Sequence, residues 1–252
     1  MIRDLLDHAF EFAEPPRRVV SLVPSLTETL FELGAGESVV GITDFCIFPP
    51  SLDLPRLGGT KTPKVQRIRE LAPDLVYVNL EENLKRHADE IAEFAPVFAT
   101  EPKSVTDVVD LIDTLGAIHG RQERARAMNE EITADGKRRT ANFSFLVPIW
   151  KKPWMWCGGD TYVSNLVETI GGRNLLGHQK RYPTMDLQCA LALQPDVIFL
   201  PDEPYEFTRE DAAAIDGPRV IGPFPGHLFT WHGARTREGL RFLQEVMRSR
   251  PF

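Results

Sequence analysis

The sequence lacks a long apolar run, an excess of positive charge and a cysteine framework. Its 252 residues carry 29 basic and 36 acidic side chains, a formal net charge of −7 at pH 7. Phosphate binding needs a concentrated basic surface, so this balance argues against a nucleic-acid partner. No apolar run approaches the roughly 20 residues that span a bilayer, so we expect no membrane span. The cysteines number three, an odd count without framework spacing, which is typical of a reducing compartment.

The first 16 residues, MIRDLLDHAFEFAEPP, also lack a secretory signal, which would show a basic region followed by an unbroken apolar stretch. The apolar residues within Ile2–Phe10 fall at helical spacing, which predicts a short amphipathic helix. We therefore expect a cytoplasmic protein. The alternative is a periplasmic protein whose signal is missing from this sequence.

What the sequence does have is an alternation of short apolar runs and helical patterns. This arrangement predicts parallel strands covered by helices on both sides. The expected strands lie within residues 17–23, 38–43, 74–78, 95–100, 143–149, 196–200 and 219–224. Residues 104–140 keep a helical pattern that is apolar at first and strongly charged later. We expect an α/β protein with the helix at 1–16, a Rossmann-like lobe at 17–103, a connecting helix at 104–140 and a second such lobe at 141–252.

A repeated phrase supports two lobes of similar plan. Residues 66–77 read QRIRELAPDLVY and residues 188–199 read QCALALQPDVIF, with Gln, Leu, Pro and Asp at the same places. Proline ends a helix and begins the turn into the following strand. Each copy therefore indicates a helix, a Pro-Asp turn and a buried strand.

Two segments could contribute a binding site. Ser25-Leu26-Thr27-Glu28 matches a capping box, and it follows the first expected strand, at the strand end where open α/β sheets bind ligands. The segment WKKPWMWCGGDTY (150–162) holds three of the four tryptophans. Aromatic side chains on a loop suit a large planar ligand, and core packing is the alternative.

Catalysis and metal binding have weaker support. Cys157-Gly-Gly-Asp160 has no nearby histidine to activate a nucleophile. His227 and His232 could bind a metal with His178 or Glu81–Glu82, but their spacing is looser than in structural zinc sites. No G-x-G-x-x-G motif follows a strand. We expect no catalytic residue, no metal site and no intrinsic cofactor, with Trp231-His232 as a pocket wall.

The segments RRVVSLVPSLTETLFELGAG, VVGITDFCIFPP and LGGTKTPKVQRIRELAPDLVYV resemble the opening of ABC-importer substrate-binding proteins, in the vitamin B12 and ferric siderophore receptor branch. SNLVETIGGRNLL, YPTMDLQCALALQPDVIFL and WHGARTREGL continue the resemblance, which covers about residues 17–250. It implies a class III periplasmic-binding-protein-like fold, with lobes joined by a long rigid helix. It also implies a non-enzymatic protein that holds one small-molecule ligand, a cobalamin-like corrinoid or a ferric chelate, between its lobes.

The resemblance also implies which positions line the pocket. Tyr182 falls where the B12 receptor has a stacking aromatic, and His232 lies near a position that often holds arginine. Thr60 and Asn79 stand where the B12 receptor has tryptophans, which weakens a B12 assignment. The implied ligand-binding residues are Pro24, Ser25, Asp44, Phe45, Thr60, Asn79, Trp156, Tyr182, Trp231 and His232.

Gln66 and Gln188 open the two copies of the repeated phrase. Importing members of the resembled family carry glutamates there, which dock onto arginines of the membrane permease. An amide keeps the hydrogen bonding but drops the charge, so an ABC permease is a partner only if docking tolerates glutamine. We expect a relative without a transporter. The alternatives are an importer receptor whose signal is missing, a direct metal receptor, and an enzyme that processes a corrinoid or chelate.

Overall fold

The computed structural model describes residues 1–140 and 142–249 and divides into two compact units. Unit 1 holds Met1–Pro102 and Val109–Glu130, and unit 2 holds Lys103–Val108 and the chain from Glu131 onward. Within the described ranges, no helix is both long and apolar enough to cross a bilayer.

Unit 1 is built on a four-stranded parallel sheet. In chain order its elements are β1 (Ile2–Arg3), β2 (Ala9–Phe10), β3 (Val19–Ser21), α1 (Pro24–Glu32), β4 (Val39–Ile42), β5 (Gly58–Gly59), β6 (Thr62–Pro63), α2 (Val65–Glu70), β7 (Leu75–Asn79), α3 (Lys85–Ala92) and β8 (Val97–Thr100). The strand order is β4-β3-β7-β8. Every residue of β3 and β7 is buried, because helices cover both faces of the sheet.

The N-terminal segment forms a hairpin, so the helix expected over residues 1–16 is wrong. β1 pairs antiparallel with β2. The carboxylate of Asp4 accepts hydrogen bonds from the backbone N–H groups of Leu6 and His8, at 3.0 and 2.8 Å, and Asp7 adopts a left-handed conformation (φ 64°). Such local hydrogen bonds from side chain to backbone compete with the backbone hydrogen bonds of a helix, and in this segment they stabilise the hairpin instead.

Two helices, α4 (Val105–Ile118) and α5 (Gln122–Gly136), replace the single connecting helix expected over residues 104–140. Gly120 has a φ of 64° and ends α4, as glycine commonly does after a helix. The side-chain amide of Asn129 donates to the carbonyl of Val109 and to the carboxylate of Asp113, at 2.9 and 2.8 Å. These contacts hold the two helices side by side as an antiparallel pair.

Unit 2 repeats the plan of unit 1. Its remaining elements are β9 (Phe143–Leu146), β10 (Pro148–Lys151), β11 (Trp154–Trp156), α6 (Tyr162–Thr169), β12 (Gly172–Asn174), α7 (Leu187–Ala192), β13 (Val197–Pro201), α8 (Arg209–Ala213), β14 (Arg219–Phe224), α9 (His227–Thr230) and α10 (Thr236–Arg248). The parallel sheet has the order β12-β9-β13-β14. β10 and β11 form a separate antiparallel hairpin.

The repeated phrase has one structure in both units. α2 leads through Ala72 into β7, and α7 leads through Gln194 into β13. Ala72 and Gln194 both adopt the left-handed conformation, with φ of 44° and 56°, and the proline that follows cannot continue the helix. All seven expected strand segments contain a strand, and the expected α/β class is confirmed.

Candidate functional site

The expected unit 1 positions gather where the strands of its sheet end. Pro24 and Ser25 open α1 after β3, Asp44 and Phe45 follow β4, and Asn79 ends β7. Because the strands are parallel, their carboxyl ends share one edge of the sheet, and open α/β sheets bind ligands there.

Ser25 and Glu28 do not form the expected capping box. The N-cap is Val23, which has no side-chain cap, and α1 begins with Pro24. Proline suits the first helical position because its missing N–H has no helical partner there. Ser25 therefore lies one residue inside the helix, and both Ser25 and Glu28 are buried.

Phe45 presents a largely exposed ring at this edge. Its side chain is 58% exposed, and that of neighbouring Ile47 is 55% exposed. A Cβ atom added to Gly59 would lie 3.3 Å from the Phe45 ring, so the ring rests on backbone that has no side chain. Cys46, which lies between Phe45 and Ile47 in the sequence, is buried. Its sulfur lies 3.2 Å from the hydroxyl oxygens of Thr27 and Thr43. The Phe45 ring therefore extends from a firmly packed loop.

Asn79 and Thr60 belong to a hydrogen-bonded turn. The Oδ1 atom of Asn79 accepts the backbone N–H of Glu81 at 2.9 Å. Asn83 accepts the backbone N–H of Asn79 and donates its amide to the carbonyls of Leu22 and Thr60. Asn83 was not among the expected site residues, although asparagine after a strand favours turns because its side chain can bond nearby backbone. Asn79 is only 4% exposed, so its main structural role is to shape this loop.

Trp156 lies in the core of unit 2, which favours the core-packing alternative over a ligand platform. It is fully buried, and its indole N–H donates to the carbonyl of Met185 at 2.8 Å. Its ring stacks on Trp154, with 5.5 Å between centroids. In the same segment Trp150 is the more exposed tryptophan, at 42%, and packs edge-on against Tyr205. Residue spacing in the sequence could not show which of these tryptophans is buried, because the packing of the β10–β11 hairpin decides which rings face inward.

Trp231 and His232 follow α9 and are both buried. The His232 ring packs edge-on against Tyr162, with 6.2 Å between centroids. Burial lowers the pKa of His232 to about 4, so the ring is neutral at neutral pH. Trp231 hydrogen-bonds the Glu203 carboxylate, whose pKa is raised by burial and by neighbouring Asp202. If His232 contacts a ligand, it would therefore do so as a neutral hydrogen-bonding group and not as a cation.

The loop that carries Tyr182 packs on the glycine pair after β11. The backbone N–H groups of Gly158 and Gly159 donate to the carbonyls of Arg181 and Gln179, at 2.8 and 2.9 Å. A Cβ atom on Gly158 would lie 2.6 Å from the carbonyl oxygen of Gln179. The glycine pair thus allows close backbone packing, and Tyr182 is left half-buried on the loop.

Gln66 and Gln188 occupy the same place in the two units. Each is the second residue of a six-residue helix, α2 or α7, and each is exposed. Among the residues with described positions, no group of three or more His, Cys, Asp or Glu side chains could hold a metal ion.

A family model described as periplasmic binding protein matches residues 19–216. The chain belongs to this family. Membership assigns it a binding role rather than a catalytic one. The vitamin B12-binding protein of Vibrio parahaemolyticus is 25% identical over 195 residues, which cover 74% of this chain and 71% of the relative.

Solved structures agree with the family assignment at the level of the fold. The periplasmic vitamin B12-binding protein of Vibrio cholerae superposes with a TM-score of 0.75 at 19% identity, covering 93% of this chain and 98% of the other. A periplasmic heme-binding protein from Roseiflexus gives 0.76 at 22% identity, covering 92% and 98%. The expected periplasmic-binding-protein-like fold is confirmed.

Proposed function

We propose that this protein binds a bulky, ring-containing ligand, a corrinoid or another metal chelate, at the carboxyl edge of the parallel sheet in unit 1. The observation that carries the proposal is the exposed ring of Phe45, which stands at the edge where open α/β sheets bind ligands. The relatives support the ligand class, since similar chains bind vitamin B12 or heme.

Several contacts must act together for useful affinity. A stacked aromatic ring contributes about 1 kcal/mol beyond the area it buries. Micromolar binding corresponds to roughly −8 kcal/mol. Phe45 and Ile47 supply exposed apolar surface in unit 1, with the exposed carboxylate of Asp44 beside them.

The test is a titration of the purified protein with cyanocobalamin, cobinamide, hemin and a ferric hydroxamate, followed by tryptophan emission and native mass spectrometry. We expect one-to-one binding of at least one of these, weakened about tenfold by Phe45→Ala. Leu193→Ala is the matched control, because Leu193 is 40% exposed at the end of α7. Failure of the whole panel to bind, or equal affinity of Phe45→Ala and wild type, would overturn the proposal.

We also propose that the protein works in a reducing compartment without an ABC permease. The three cysteines are free thiols, and Cys189 is exposed. The exposed side chains of Gln66 and Gln188 supply no negative charge to a partner. Immunoblots of cytoplasmic and periplasmic fractions should find the protein in the cytoplasm.

Its presence in the periplasm would overturn this second proposal. Saturable stimulation of ATP hydrolysis by a vitamin B12 permease in proteoliposomes would overturn it too, provided that Gln66→Ala abolishes the effect. Such a result would favour an importer receptor. Ligand binding is tested separately, so the two proposals can fail independently.

A further inference from the structure

The N-terminal hairpin, α3 and β8 line a cavity in unit 1. Its volume is about 510 Å³, within the range of roughly 300–1,000 Å³ typical of small-molecule sites. The walls are mostly apolar, and they include Leu6, Phe10, Val78, Leu80, Ala88 and Val97. Leu6 and Leu80 are 50% and 39% exposed, so apolar surface reaches the mouth.

Part of this cavity is formed by residues that precede the match to the family model. Leu6, His8, Ala9 and Phe10 form one wall, and the family match begins at residue 19. Phe45 and Ile47, which carry the proposed ligand site, do not line the cavity, whereas Asn79 and Asn83 of the turn at the same sheet edge do. The cavity therefore reaches the Asn79 turn but not Phe45, and the argument for it does not depend on the proposed function.

Lys85 places a positive charge beside the apolar walls. Its amine lies 2.7 Å from the carboxylate of Asp89, and the two side chains are 85% and 60% exposed. Exposed ion pairs of this kind contribute little, so Lys85 can exchange Asp89 for a ligand carboxylate at small cost. The exposed ring of His8 adds a second polar group, with its Nδ1 atom 3.2 Å from the Asp4 carboxylate.

We propose that this cavity binds an aliphatic carboxylate, with the hydrocarbon chain against the apolar walls and the carboxylate at Lys85. A site of this size with one exposed cation fits an amphiphile with a single negative end. Each further methylene group that is buried should strengthen binding about fourfold, until the cavity is full.

The experiment is calorimetric titration of the full chain with octanoate, decanoate and dodecanoate below their micelle concentrations. We expect saturable one-to-one binding that tightens with chain length. Ala88→Phe fills the cavity from α3 and should weaken decanoate binding at least about tenfold. Ala127→Phe on α5 is the matched control, because Ala127 is similarly half-buried and does not line the cavity.

Lys85→Met separates charge from volume. It should weaken decanoate binding about fivefold and leave decanol binding unchanged, because decanol has the chain without the charge. If Ala88→Phe does not fold, Ala92→Phe tests the same wall, since Ala92 also lines the cavity.

The proposal would be overturned by no saturable binding of any of the acids, by equal binding to wild type and to a folded cavity-filling variant, or by self-association that the filling variant abolishes. The last result would assign the cavity to a second copy of the chain. A ring ligand that binds at the Phe45 site can be added to the decanoate complex as a competitor. If it displaces decanoate, the acid binds at the Phe45 site and not in this cavity, which also counts against the proposal.

Discussion

Asp196 accepts two hydrogen bonds from Ser144, one from its backbone N–H and one from its hydroxyl, each with a donor–acceptor distance of 2.7 Å. Asp74 does the equivalent work in unit 1, where its carboxylate accepts the backbone N–H groups of Arg17 and Arg18 at 2.8 and 3.1 Å. In each unit the aspartate of the Pro-Asp turn holds the start of a central strand. The aspartate of the repeated phrase therefore has the same role in both units: it positions the start of the neighbouring strand through hydrogen bonds.

Replacing Asp196 with alanine should destabilise unit 2. The two hydrogen bonds to a charged acceptor disappear, and we expect a loss of about 1–3 kcal/mol in the free energy of unfolding. The bonds to Ser144 lower the pKa of Asp196, so its contribution is present at neutral pH and is lost as pH falls through that lowered pKa. Urea denaturation at pH 7 measures the loss. Asp216→Ala, at an exposed loop position, is the control and should change little.

Trp156→Ala should act on stability and leave ligand affinity alone. The change empties a fully buried site, which typically costs about 3–5 kcal/mol. Trp150→Ala removes an exposed tryptophan from the same hairpin and should cost much less. Denaturation curves for the two variants give the comparison. Weakened ligand binding by Trp156→Ala without a loss of stability would show that this ring contacts ligand after all.

His119 should make unit 1 sensitive to acid. Its Nε2 atom lies 2.9 Å from the hydroxyl oxygen of Tyr77, and burial, with a further contribution from the charge of Arg121, lowers its pKa to about 4. The unfolded chain takes up this proton near pH 6.5, so stability should be complete above that pH and should fall towards pH 4. The loss should be roughly 3 kcal/mol larger in wild type than in His119→Gln. Thermal unfolding from pH 7 to pH 4 tests this, and parallel pH profiles for the two proteins would contradict it.

Asp4→Ala should release the N-terminal hairpin. The buried carboxylate accepts the backbone N–H groups of Leu6, His8 and Ala99, and alanine accepts none of them. We expect faster hydrogen exchange across residues 2–10 with little change elsewhere in unit 1. Asp7→Asn is the control, because the Asp7 side chain is 83% exposed and asparagine also tolerates the left-handed conformation at this position. Exchange measured by mass spectrometry that stays slow in Asp4→Ala would contradict the prediction.

The sequence predicts the architecture well because buried parallel strands leave unmistakable apolar runs, and all seven expected segments contain strands. It fails where a few local bonds outweigh the periodic pattern. Asp4 turns an apparent helix into a hairpin, and Gly120 divides an apparent single helix in two. The burial of Trp156 and the exposure of Trp150 depend on how one hairpin packs, which residue spacing does not encode.

The hairpin has a consequence for association between copies of the chain. β8 is the last strand of its sheet, and at Ala99 its outer side is already occupied: the carbonyl accepts the N–H of Leu5, and the N–H donates to Asp4. An uncovered strand at the border of a sheet is a template for pairing with another chain. Loss of the first eight residues would uncover that side of β8 and leave it free to pair with a strand of another chain.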